Sequence, residues 1–130
     1  MISATEIRFS DMDAQGHVGH LPIIEWIAHA RVKFIDATLA EAGLGDIDHV
    51  LVHLDIDFTS GIKYPGEIDV GISVFGIGRT SLSLAYGLTK DSETFATADS
   101  VSVFFEGTSG DKISIPSSLK RALGNAEEKK

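Results

Sequence analysis

The sequence predicts an α+β fold in which one antiparallel β-sheet wraps around a single long central helix. Three observations predict it. Residues 22–42 carry apolar side chains at three- and four-residue steps, the helical period. After Gly45 the period changes to two over four successive segments, as in strands with one face on a core. Turn-forming residues separate those segments at Lys63-Tyr64-Pro65-Gly66, Gly76-Ile77-Gly78 and Lys90-Asp91-Ser92-Glu93. A long helix must bury its apolar stripe, and a curved sheet supplies the surface.

Taken in order, residues 5–9 read as a short strand ending at an Asp-rich turn. The helix of 22–42 shows Ile23, Ile24, Ile27, Phe34, Ile35 and Leu39 on one face, interrupted by Arg31. Glu25, Lys33, Asp36 and Glu41 lie mainly off that face. Pro22 suits its first turn and Gly43 its stop. About 20 residues of helix span ~30 Å, the width of a small sheet. Val50, Val52, Leu54, Ile56 and Phe58 then alternate with Leu51, His53, Asp55 and Asp57. His49 and His53 are expected to share a face with the two aspartates, as a polar surface or an interface. Ile68 to Val74 and Leu82 to Leu88 repeat the alternation, and Phe95, Thr97, Val101, Val103 and Phe105 carry it through a last long strand. Residues 115–124 read as a short closing helix with Pro116 near its start. The chain is thus expected to be a single domain over 1–124 with a frayed tail over 125–130. The strands are expected to follow one another as antiparallel neighbours. Such a sheet leaves open edges, and edge pairing between subunits implies at least a dimer.

Composition narrows the function. The chain has 130 residues, enough for one core and short for two. With 43% apolar and 23% charged residues it reads as an ordinary globular protein. No window approaches the roughly 20 apolar residues of a membrane span. Met1 to Glu6 lacks the basic and apolar blocks of a signal peptide. Cysteine is absent, which excludes disulfides, thiolate metal sites and a cysteine nucleophile, and a cytoplasmic setting is expected. A net charge of −8 argues against a nucleic-acid partner. It leaves room for a local basic patch, for which Lys63 and Arg79 are candidates, each close to a glycine.

The chemistry concentrates in Phe9-Ser10-Asp11-Met12-Asp13-Ala14-Gln15-Gly16-His17-Val18-Gly19-His20, directly before the long helix. Two carboxylates and two imidazoles thus enter a glycine-bearing turn that feeds a helix N-terminus. The first amides of a helix carry partial positive charge and favour a developing anion. Asp13 reads either as a cap on its own turn or as a carboxylate poised for chemistry. Asp11, two residues away in an extended entry, points elsewhere and is expected to brace the turn through Arg31 or a backbone amide. Asp13, His17 and His20 have a spacing that a metal could use. Turn-to-helix geometry is not the usual same-face pair, so no metal is expected. His17 reads as a turn or core residue, His29 as solvent-facing.

The order of elements and the opening motif together resemble the hotdog-fold acyl-CoA thioesterases, in particular the 4-hydroxybenzoyl-CoA thioesterase and YbgC-like group. The likeness runs from Ile7 to about Leu123. Asp11-Met12-Asp13-Ala14-Gln15-Gly16-His17-Val18 is similar to the family's Asp-x-Asp-x-x-Gly signature. Ala30-Arg31, Asp55-Ile56-Asp57-Phe58, Tyr64-Pro65-Gly66-Glu67, Ile77-Gly78-Arg79-Thr80-Ser81 and Ile115-Pro116 add to it. The resemblance implies hydrolysis of an acyl-CoA or acyl carrier protein thioester, with Asp13 as nucleophile or general base. It implies an oxyanion donor at the amide of His20, whose side chain is a second candidate. CoA contacts fall on Gly78, Arg79, Thr80 and Ser81 of a partner subunit, where Arg79 is either a phosphate clamp or a plain surface arginine. The active site is then a cleft at a dimer interface, in a homodimer or homotetramer, with Trp26 and Phe34 in the core or lining the acyl channel. No cofactor is implied, because CoA is part of the substrate. Gly19 departs from the Asn or Tyr of many relatives and leaves the pocket beside Asp13 wider. A non-hydrolytic protein that binds acyl thioesters on the same scaffold is the alternative.

Overall fold

The structure, a computed structural model, describes residues 1–128. The chain runs through β1 (Ile2–Glu6), one turn of 3₁₀ helix (Phe9–Asp11), α1 (His20–Glu41), β2 (Ile47–Phe58), β3 (Glu67–Ile77), β4 (Ser81–Lys90), β5 (Glu93–Glu106) and α2 (Ser117–Glu128). The strands form one antiparallel sheet in the order β1-β3-β4-β5-β2. The sheet and the long helix are those expected, and the core forms between them. From α1, Ile23, Trp26, Ile27, Ala30, Phe34, Ile35 and Leu39 meet the alternate residues Ile68, Val70 and Ile72 of β3 and Leu82, Leu84, Tyr86 and Leu88 of β4. Each buried Val, Leu, Ile or Phe among them contributes roughly 1.5–3 kcal/mol. Ile115 and, from α2, Leu119 and Leu123 complete the cluster. Trp26 and Phe34 are therefore core residues, and His29 is exposed.

Several expectations need correction. The first strand is Ile2–Glu6, not 5–9: its partner β3 begins at Glu67, opposite Glu6, so no ladder remains for residues beyond. Phe9 instead enters the 3₁₀ turn with its ring exposed. The long helix starts two residues before Pro22, at His20. The closing helix begins at Ser117 and reaches Glu128, so the expected tail is helical over 125–128, while 129 and 130 lie outside the described residues. Consecutive strands are not all neighbours either. β2 lies at the far edge beside β5, and residues 59–66 must cross the ends of β5 and β4 to reach β3. Thr59 and Ser60 donate their amides to Phe95 O on the way, at 2.9 and 3.3 Å.

Alternation along β2 breaks at a bulge. The register steps from Leu51 opposite Ser102 to His53 opposite Val101, which leaves Val52 unpaired. An extra residue reverses the face on which each later side chain lies. Ile47, His49 and Leu51 consequently face inward before the bulge and Leu54 and Ile56 after it, while Val50, Val52 and Phe58 are exposed. His49 and His53 do not share a face. His49 turns in, with Nε2 2.8 Å from Asp36 Oδ1 on α1, and His53 turns out, near Asp55 and Asp99.

Polar groups sit under the helix as well. Tyr86 and Ser100, both buried, share a 2.7 Å hydrogen bond. Arg31 reaches the same region half-buried, and its Nη1 has no hydrogen-bond partner among the described residues. Burial pushes the Tyr86 phenol above its usual value of 10.0, against weaker opposing effects of Ser100 and Arg31. A raised phenol pKa stabilises the fold below about pH 10, and that contribution is lost as the pH climbs and the unfolded chain ionises first. Tyr86→Phe should therefore cost about 1 kcal/mol at neutral pH through the orphaned Ser100 hydroxyl. Its urea midpoint should also fall less steeply than the wild type's between about pH 10 and 12.

Candidate active site

The segment joining the 3₁₀ turn to α1 is folded by its own polar groups. Asp13 N donates to His17 O at 2.7 Å, and Gly16 N donates to Asp13 O at 3.1 Å. Gly16 adopts φ +79°, a left-handed conformation that favours glycine, which lets the loop return on itself. Met12 and Val18 then face each other as an antiparallel bridge. Asp13 Oδ1 accepts the amides of Gln15 and His17 at 2.9 and 3.2 Å. Oδ2 has no partner among the described residues, and the side chain is exposed. The capping role is thus real but engages one oxygen. It aims the carboxylate and leaves the other oxygen open.

Asp11 is the opposite case. Its side chain is only 1% exposed; of the two expected partners a backbone amide is the one found, that of Arg8, joined by the Arg8 guanidinium and not by Arg31. Arg8 N donates to Oδ2 at 2.8 Å and Arg8 Nη2 to Oδ1 at 2.8 Å, while hydrogen bonding to Asp11 raises the arginine's pKa further. The Asp11 carbonyl accepts Gly19 N at 3.0 Å, so one residue ties the turn's entrance to its exit.

That exit is the N-cap of α1. Gly19 is extended (φ −73°, ψ 168°), and no side chain caps the helix. Its own amide is taken by Asp11, and Pro22 has no N–H to offer. His20 and Leu21 therefore supply the uncapped donors of the first turn. A Cβ built on Gly19 would lie 3.8 Å from Asp13 Cβ, so the Asp13 side chain lies against the N-cap of the helix. Two clefts meet there. One, of about 570 Å³, is lined by Arg8, Gln15 and Glu25, the other, of about 410 Å³, by Val18, Ile23, Phe58 and Ile62; both share Asp13, Gly19 and His20. A larger cavity of about 680 Å³ beside Asp36, His49 and Val50 does not touch this loop.

Residues 59–66 form the floor. Val18 N donates to Ile62 O at 2.8 Å, and the half-buried ring of His17 lies where a Cβ on Gly61 would be, 2.7 Å from Cδ2. Sequence reasoning missed this floor and the Arg8 brace, although Gly61 is a signal of close approach.

Gly78, Arg79, Thr80 and Ser81 lie at the other end of the sheet, on the β3–β4 turn. β4 separates them from the Asp13 end by about 30 Å of strand, so one chain does not bring the two groups together. Arg79 Nη1 donates to Ser114 Oγ at 3.3 Å and Arg79 O accepts Ile115 N at 2.8 Å, anchoring the C-terminal segment. Asp13, His17 and His20 do not converge as metal ligands. Among the described residues the converging group is His53, Asp55 and Asp99, all exposed on the outer face.

This arrangement, a carboxylate beside the open amides of a helix that lies against an antiparallel sheet, fits a known family. The sequence model of the thioesterase-like superfamily matches residues 7–123. The chain belongs to the thioesterase-like superfamily. Family membership bears out the reading as a hotdog-fold thioester hydrolase. No curated protein sequence matches significantly. Among solved structures, a predicted thioesterase from Bacillus stearothermophilus superposes with a TM-score of 0.85 at 20% identity, over 95% of this chain and 93% of that one. A hypothetical protein from Staphylococcus aureus, solved in complex with CoA, gives 0.85 at 11% identity, over 98% and 83%. The DHNA-CoA thioesterase of the same organism gives 0.74 at 20% identity, over 98% and 85%. Among the described residues no helix is long and apolar enough to cross a membrane.

Removing the brace should loosen the loop. Asp11→Ala is expected to lower stability by roughly 1 kcal/mol for the lost Arg8 amide bond. The Gly19 amide should also exchange faster with deuterium.

Proposed function

We propose that the protein hydrolyses acyl-CoA thioesters to the free acid and CoA, with Asp13 acting on the thioester carbon. The observation that carries this reading is the half-engaged carboxylate of Asp13 beside an uncapped helix N-terminus. A carbonyl oxygen placed at the His20 amide meets the positive end of the helix dipole, and charge developing on it is stabilised there. The carbon of that carbonyl then falls within reach of the free Oδ2. From that position Asp13 either adds to the carbon, expelling the thiolate and leaving an anhydride that water opens, or takes a proton from the water that adds. Both routes consume one water and release one thiol. Neither uses a metal or a cofactor of the protein's own. His20, which lines both clefts, offers its imidazole as a second polar group near the reacting atoms. The CoA bound by the Staphylococcus aureus relative supports CoA as the thiol carrier. Kinship with the 4-hydroxybenzoyl-CoA and YbgC-like group rests on Asp11 to Val18 and on the turns at Tyr64-Pro65-Gly66 and Gly78-Arg79.

The working unit in this proposal is a homodimer, alone or paired into a tetramer. β2 is a 12-residue edge strand hydrogen-bonded on one side only, with Val50, Val52 and Phe58 exposed along it. Antiparallel pairing of two such edges about a two-fold axis runs the Asp13 end of one subunit alongside the Arg79 end of its partner. Gly78, Arg79, Thr80 and Ser81 of that partner are then available for the CoA phosphates, Arg79 as the clamp.

Two experiments test the reading. In a thiol-release assay over a panel of acyl-CoAs, Asp13→Asn should lower kcat by about 10²–10⁴ with an unchanged circular dichroism spectrum. His20→Ala, which keeps the amide, should lose less. Near-normal turnover by Asp13→Asn overturns the assignment, and acyl-CoA binding without turnover by the wild type favours the non-hydrolytic alternative. In a single turnover in H₂¹⁸O, label in Asp13 assigns the anhydride route with water opening it at the Asp13 carbonyl, since the general-base route puts all label in the product acid. For the assembly, Val52→Lys is expected to give monomers by light scattering and to lose activity at least tenfold although Asp13 is intact.

A further inference from the structure

We propose that Lys90 is a positioning residue for the Asp13 loop; the proposal rests on the catalytic reading of Asp13. Lys90 ends β4, where residues 59–66 cross the sheet on their way to β3. Its ammonium donates to Lys63 O at 2.7 Å and to Pro65 O at 2.9 Å. Among the described residues no carboxylate lies within ion-pair range of it, so its charge is directed at these two carbonyls. Gly66 makes room for the clamp. It holds φ +142°, and a Cβ there would sit 2.6 Å from Lys90 Cε. A lysine stem passing this closely over a glycine, toward two carbonyls turned to one point, is unlike a surface lysine free in water.

The clamped turn supports the loop by a series of contacts. Tyr64 N donates to Met12 Sδ at 3.3 Å, and the Tyr64 and Phe9 rings meet edge-to-face at 5.7 Å. Ile7 N donates to Gly66 O at 2.8 Å, and Val18 N to Ile62 O at 2.8 Å. Both ends of the Asp13 loop thus stand on a segment whose own turn is closed by Lys90. Without the ammonium the two carbonyls converge on nothing and repel, and the turn opens. A shift of about 1 Å at a reacting group can cost about 10²-fold in rate. Binding of the CoA portion lies elsewhere, so the loss should fall on kcat and not on KM.

The test uses the full-length protein and the acyl-CoA hydrolysed best by the wild type. Lys90→Met should lower kcat about tenfold or more with KM changed less than threefold. The amides of His17 and Val18 should exchange with deuterium faster than in the wild type. Lys90→Ala should recover kcat on addition of ethylammonium ion, which a merely structural role would not predict. If Lys90→Met does not fold, Lys90→Gln serves in its place. Unchanged kcat and exchange in Lys90→Met overturn the proposal, as does faster exchange with unchanged kcat. Wild-type turnover by Asp13→Asn removes the catalytic reading itself and the positioning role with it, a result distinct from failure at Lys90.

Discussion

A 22-residue helix can bury its apolar stripe in so small a protein only if the whole sheet curls along it. That constraint sets where everything else can lie. Ile23 and Leu39, near the two ends of α1, both reach the core, so the helix runs the length of the strands and its N-terminus emerges at one end of them. At the same end residues 59–66 must cross from β2 to β3. The meeting of a helix start, a crossing segment and a polar loop is therefore a product of packing, and the candidate site occupies a place that packing creates.

What distinguishes this helix start is what is missing from it. A serine or aspartate at the N-cap would satisfy an amide of the first turn and add about 1 kcal/mol. Gly19 has no side chain to do so, and Pro22 removes one further donor. The stability forgone leaves two amides unclaimed beside a carboxylate. The loop compensates through its own bonds: Asp11 is fully engaged with Arg8 and Gly19, and Asp13 gives one oxygen to Gln15 and His17. Neighbouring aspartates two residues apart thus divide the work, one buried as a brace and one exposed with an oxygen to spare.

The sheet's topology explains why the two groups of site residues named from sequence are far apart in one chain. Asp13 and His20 belong to the end where β4 finishes, Gly78 to Ser81 to the end where it starts. A strand of this length is a rigid spacer, so no loop movement unites them. In the proposed homodimer, a second copy set antiparallel along the open β2 edge would bring them together. The bulge at Val52 matters here, because it reverses the faces along that edge: Val50 before it points outward and His49 inward to Asp36, while after it Leu54 and Ile56 point inward.

Local periodicity carried much of this into the sequence. The 3.6-residue repeat from Ile23 to Leu39 specified α1 and its buried face, and the two-residue repeats specified the inward residues of β3 from Ile68 to Ile72 and of β4 from Leu82 to Leu88, because both patterns record contacts made within one element. The expected turn at Gly76 and Ile77 is instead strand beyond a bulge after Val74. Asp13 and His20 were legible for the same reason, lying in one short loop and its adjoining helix start. What tertiary structure alone decided depends on residues distant in the chain. Strand order placed β2 beside β5. A bulge reversed the faces of His49 and His53, and the start of β3 cut β1 short at Glu6. Arg8 took Asp11 in place of Arg31, and Lys90 came to rest on the carbonyls of Lys63 and Pro65. None of these leaves a periodic trace, since each is settled by which backbone groups and charges meet once the helix and sheet have closed on each other.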